Sequence, residues 1–152
     1  MKIILSLLSL ILLQTNNLCL NNTLSKTNLC VKHLGLSRRE MPQIEGNNKE
    51  IFLDYLYHNK DIKSWCELKN PKLVTSTQNE IHGILVSKLL VTLKIEGQKD
   101  PIFISTDGHV LDGHHRWVAL EVLDMEMKAI IIDLPIEKLL YLSYNFSKTG
   151  YE

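Results

Sequence analysis

The chain has 152 residues, 45% of them apolar and 22% charged, which suits one modest globular domain with a core of its own. Its 17 Lys and Arg balance 17 Asp and Glu, and it shows no long Lys/Arg run and no basic helix face. That balance argues against a protein held to nucleic acid by charge alone.

Residues 1–13 are one lysine followed by an apolar run. The run is shorter than the roughly 20 residues that cross a bilayer, and it fits a secretory signal peptide spanning residues 1–20. An uncleaved anchor or a buried helix is the competing reading. The signal-peptide reading places the protein outside the cell, in the periplasm or in the secretory pathway, with no stable membrane span after cleavage. Cleavage after Cys19 would leave Cys30 and Cys66 as an even pair, which an oxidising compartment allows to bridge; two free thiols are the alternative. No Cys-x-x-Cys occurs, so a zinc ribbon has no support.

Residues 21–72 read as a helical and irregular N-terminal subregion. An Asn-, Thr- and Ser-rich lead-in gives way to helical spacing over Glu50–Tyr57, then to a polar stretch around Trp65. Lys72–Thr75 suggests a short strand. Thr77-Gln-Asn-Glu80 has the form of a capping box, which predicts a helix from Ile81 past Leu93 to a stop near Gly97. Gly83 then falls inside that helix, at a cost of about 1 kcal/mol relative to Ala.

Ile102–Ile104 predicts a buried strand, Thr106–Gly108 a turn, and His109–Leu111 the returning arm. Lys128–Ile132 is a further β-branched strand, with Asp133 at its end, where ligands of α/β proteins often sit. Pro135 suits the first position of a last helix over Ile136–Phe146.

Between these strands lies Asp112-Gly-His-His-Arg116, a polar knot where strand pattern turns into helical pattern. A helix start carries unpaired N–H groups and partial positive charge, which favour an anion. Gly113 allows close approach to the backbone, and Arg116 offers a planar fork suited to phosphate. With a helix starting near Gly113, His114, Trp117 and Glu121 share one face and His115 shares another with Val118 and Val122. His114 is then the ligand-facing histidine and His115 the packed one. Asp112 reads as the N-cap, as a group helping to hold a divalent ion, or as a proton acceptor from an attacking hydroxyl.

Asp112-Gly-His-His-Arg-Trp117, following Pro101-Ile-Phe-Ile and a turn, resembles the ParB/sulfiredoxin superfamily, and Val74–Gly83 looks like the front of ParB-like domains. The resemblance covers about residues 73–134. It implies an α/β (α+β) domain over 73–152, with a mixed sheet, flanking helices and a strand–turn–helix nucleotide site. Phosphate would be held by Gly113, His114, His115 and Arg116, with Asp112 and His114 catalytic. Free serine kinases place a catalytic glutamate upstream of the motif; Glu80 is the candidate for that role, or is only the end of its capping box. The implied ligand is a nucleotide (ADP, ATP or CTP) with Mg2+, and the implied chemistry is phosphotransfer or nucleotide hydrolysis; no protein metal-ligand set is read. A ParB-like DNA-binding protein or nuclease is the second reading, although no helix-turn-helix follows the knot. A non-catalytic secreted binding domain is the third. Sulfiredoxin chemistry needs a cysteine nucleophile where His114 stands.

Overall fold

A computed structural model describes residues 19, 24–30, 33–44, 46–146 and 150–151. In chain order the elements are β1 (Asn28–Leu29), β2 (Pro42–Gln43), α1 (Asn48–Lys60), β3 (Ser64–Lys69), β4 (Glu80–Ile81), α2 (Gly83–Glu96), β5 (Ile102–Ser105), β6 (Val110–Asp112), α3 (His114–Val122), β7 (Met127–Ile132), α4 (Ile136–Asn145) and β8 (Gly150–Tyr151). Four strands form a mixed sheet in the order β3-β7-β5-β6. β5 and β7 run parallel, while β3–β7 and β5–β6 are antiparallel. Two short antiparallel pairs, β1–β4 and β2–β8, lie apart from it.

Strand alternation decides what covers each face. Ile102, Ile104, Val110, Met127, Ala129 and Ile131 are buried with Val86, Leu90 and Leu93 of α2 and Trp117 and Val118 of α3. Their neighbours Phe103, Leu111 and Ile132 are buried with Phe52 and Leu56 of α1 and with Ile136 and Leu139 of α4. Helices therefore pack on both faces, and the fold is α/β (α+β) with a mixed sheet. Residues 48–69 are integral to it: α1 supplies part of one core, and β3 pairs with β7 from Ser64↔Ile132 to Lys69↔Met127.

The polar stretch around Trp65 is thus a strand. Its period was hidden because neither face is covered: Trp65, Cys66, Glu67 and Leu68 are all exposed. The capping box does not form either. Glu80 and Ile81 instead pair with Leu29 and Asn28, and α2 begins at Gly83 with His82 as its N-cap. Gly83 is consequently the first helical residue, where the interior glycine cost does not apply. Lys72–Thr75 holds a 3-10 turn over Pro71–Leu73 and a single bridge, Thr75↔His109. Pro135 precedes α4 as its N-cap. The first N–H of that helix, on Ile136, donates to Asp107 Oδ1 at 3.1 Å, so the β5–β6 turn caps α4.

The disulfide partner of Cys30 is Cys19. Cys66 is free and exposed on β3, so the expected Cys30–Cys66 bridge is not formed. Of the expected signal peptide, residues 1–18 and 20 lie outside the described residues; its removal after Cys19 would take away Cys30's partner. No helix among the described residues is long and apolar enough to cross a membrane.

Phe103 is fully buried between α1 and α4. Phe103→Ala is expected to remove about 3–5 kcal/mol of stability in urea titrations. A loss under about 1 kcal/mol would contradict its place at the centre of that core.

Candidate functional site

β6 ends at Asp112, and the chain turns into α3 through Gly113, whose φ of 93° lies in the left-handed region. A Cβ there would come within 3.0 Å of Arg116 Nη2 and 3.1 Å of the buried Ile102 Cγ1. Glycine is needed on both counts. No side chain caps α3. Its first turn opens into a cleft of about 200 Å3 whose wall includes Gly113, His114, His115 and Arg116. Arg38, Met41 and Gln78 line the other parts of the cleft.

Asp112 is not the N-cap. Its Oδ2 lies 3.3 Å from Lys49 Nζ and 3.7 Å from Arg116 Nη2. Burial raises the carboxyl above its usual range, and the charges of Lys49 and Arg116 oppose that rise. Arg116 is also oriented by Asp100, whose Oδ2 is 3.4 Å from Nη1, while its Nε is buried without a hydrogen-bond partner. The guanidinium is therefore held at the cleft by two loose carboxylate contacts and keeps donor capacity.

The two histidines depart from their expected division. His114 is the buried one, 5% exposed. Its Nε2 accepts the backbone N–H groups of Thr77 and Gln78, each at 3.3 Å. Trp117, expected on the ligand-facing side, is 3% exposed and donates through Nε1 to the Pro71 carbonyl at 2.8 Å. His115 is partly buried, and its Nε2 accepts the His82 N–H at 3.0 Å. An imidazole accepting at Nε2 carries its proton on Nδ1. Burial, with His115 beside it, pushes His114 down to about 3. Burial, with Arg38 and His82 nearby, pushes His115 down to about 4. Both rings are neutral at physiological pH, so neither offers an anion a positive charge.

Glu80 does not line this cleft. It lines a neighbouring one with Lys26, Thr27, Arg38, Arg39, Ile81 and His82, so the structure brings together Asp112, Gly113, His114, His115 and Arg116 but not Glu80. Lys49 and Arg38 are the residues sequence reasoning missed. The Arg38-Arg39 doublet was visible as charge, but nothing in the spacing tied it to a motif more than 70 residues away; Lys49 carried no signal. Among the described residues no group of three or more His, Cys, Asp or Glu side chains is placed to hold a metal. With Lys49 and Arg116 already flanking Asp112, a magnesium site does not fit there.

No family model and no curated protein matches the chain. Among solved structures it is similar to a Pnob8-like ParB-N domain, at 15% identity and a TM-score of 0.45, over 55% of this chain. The match spans 35% of that chain's length.

Two predictions follow from the imidazoles. Each is neutral when folded and has an unfolded value of 6.5, so the unfolded chain binds more protons in acid. Stability is then full above about pH 6.5 and falls towards pH 4 by roughly 1.4 kcal/mol per pH unit for each ring. Urea midpoints at pH 7 and pH 5 should differ accordingly, and equal midpoints would show that the rings are not held neutral. In addition, His114→Ala leaves two buried N–H groups without an acceptor and should destabilise more than His115→Ala, which orphans one. About 1–3 kcal/mol is expected per orphaned group, and the reverse order in urea would overturn the burial assignment.

Proposed function

We propose that the chain is a phosphate-recognition domain that binds a nucleotide (ADP, ATP or CTP) through its phosphate at the start of α3. One observation carries this reading. The uncapped first turn of a nine-residue helix opens into a cleft that Arg38 and Arg116 also line. The N–H groups and the helix dipole favour an anion there, and the two guanidinium groups add charge and donors. Gly113, lacking a Cβ, leaves the Arg116 guanidinium its place beside Ile102. Asp112 opposes binding by its charge but holds Arg116 in position. His114 and His115 have Nε2 committed to backbone N–H groups, so they serve as fixed neutral walls with a proton on Nδ1. Export is part of the proposal; the Cys19–Cys30 disulfide fits an oxidising compartment when Cys19 is retained, as in an uncleaved anchor.

Phosphotransfer or nucleotide hydrolysis is a second reading, favoured by Asp112. Its buried carboxyl, raised above the ordinary range, lines the cleft beside the proposed phosphate. A carboxylate tuned in that direction is a better proton acceptor.

A thermal-shift panel with orthophosphate, ADP, ATP and CTP tests the binding reading. Ligand at 100 times its Kd should add about 2.7 kcal/mol of stability. The shift should vanish in Arg116→Ala. No shift with any of the four, or an unchanged shift in Arg116→Ala, overturns the proposal. Phosphate release from ATP or CTP that is abolished in Asp112→Asn establishes the enzymatic reading; binding without release rejects it.

A further inference from the structure

The second cleft has no role in the reading above. Its volume is about 350 Å3, and its wall includes Lys26, Arg38, Arg39, Glu80 and His82. Three cations face one carboxylate. The two clefts adjoin at two points: Arg38 lines both, and His82 of the second is bonded through its N–H to His115 of the first, at 3.0 Å. His82 Nδ1 is a buried atom with no hydrogen-bond partner. Lys26 is exposed and lies just before β1, whose pairing with β4 brings this stretch of backbone beside Glu80.

Size points the same way. Ligand sites usually enclose roughly 300–1,000 Å3. The first cleft alone, at about 200 Å3, falls below that range, whereas the two taken together lie inside it. A single phosphate suits the first. A longer anion would run past Arg38 into the second.

We propose that Lys26, Arg38 and Arg39 form a second anion subsite continuous with the one at the start of α3, and that the ligand is a chain of linked phosphates lying across both. This rests on the phosphate reading of the first cleft and extends it. The terminal phosphate sits on the first turn of α3. Arg38 spans the junction, and Lys26 and Arg39 hold the distal phosphates. Glu80 limits how much negative charge the second subsite accepts.

The test is calorimetric titration of the full chain, at fixed ionic strength, with orthophosphate, pyrophosphate and tripolyphosphate. In the unsubstituted protein, tripolyphosphate should bind at least about tenfold more tightly than orthophosphate. The exposed pair Lys26→Ala/Arg39→Ala should close that gap while leaving orthophosphate affinity unchanged, and Glu80→Gln should widen it. Equal affinities for the three anions overturn the proposal, as does a gap that survives Lys26→Ala/Arg39→Ala. So does an equal loss in Lys94→Ala/Lys138→Ala, which removes two exposed cations elsewhere and would mark non-specific attraction. The two readings fail separately. If orthophosphate does not bind, or binds as well to Arg116→Ala, the first cleft's assignment is wrong. If orthophosphate binds and needs Arg116 but chain length adds nothing, only the extension is wrong.

Discussion

The arrangement depends on two imidazole nitrogens accepting backbone hydrogen bonds. The segment Thr77–His82 lies against α3, and three of its N–H groups, on Thr77, Gln78 and His82, end on the Nε2 atoms of His114 and His115. Buried backbone donors outside regular structure need acceptors, and a neutral imidazole supplies one while keeping a proton on its other nitrogen. Thr77 reinforces the contact by donating its hydroxyl to the Val110 carbonyl at 2.6 Å. These bonds bring β4 and the start of α2 against the knot and so set one wall of the cleft. The same bonds remove both rings from acid–base work at Nε2. On the proposed reading, the site therefore serves first to bind an anion, with any proton transfer left to Asp112.

Asp112 has a different task from the one its position suggests. As an N-cap it would have consumed N–H groups of the first turn. Turned between Lys49 and Arg116 instead, it leaves those groups open and joins α1, β6 and α3 at one point. Buried ion pairs seldom add net stability, because desolvation offsets the Coulomb attraction. The worth of this one lies in orientation: it fixes the guanidinium at the cleft mouth. Gly113 belongs to the same device, since its left-handed turn lets the chain leave β6 and start α3 without a side chain between Arg116 and Ile102.

Much of this was legible in the sequence, and the reasons for the rest are physical. The buried strands β5 and β7 were visible as β-branched apolar runs, and the strand-to-helix switch at the knot was visible as a change of period. Strand β3 was not, because an edge strand with both faces exposed has no alternation to read. The Thr77-x-x-Glu80 pattern misled because local capping chemistry lost to tertiary pairing of Glu80 and Ile81 with β1. The histidine phasing placed His114 towards a ligand; the helix does present it to the cleft, but the Thr77–Gln78 backbone covers its Nε2. Lys49 and Arg38 could not be read at all, since their roles exist only once α1 and the Arg38–Glu40 turn fold over the knot.

That last point locates specificity. The motif that draws the eye spans residues 112–117, yet the opposite wall of the cleft comes from Arg38, Met41, Pro42 and Gln43. This segment is anchored independently of the motif: β2 pairs with β8 and packs near β6, Met41 and Ile44 are buried with Phe103 and Leu111, and the Tyr144 hydroxyl of α4 donates to the Glu40 carbonyl. A helix start with a glycine turn and an arginine supplies generic affinity for phosphate. In the proposed complex, what lies beyond the phosphate would meet the Arg38–Gln43 wall and the cations beside it. On the proposed reading, the choice among anions rests with the N-terminal third of the chain, and changes there should alter which anion binds while changes in the knot alter whether any does.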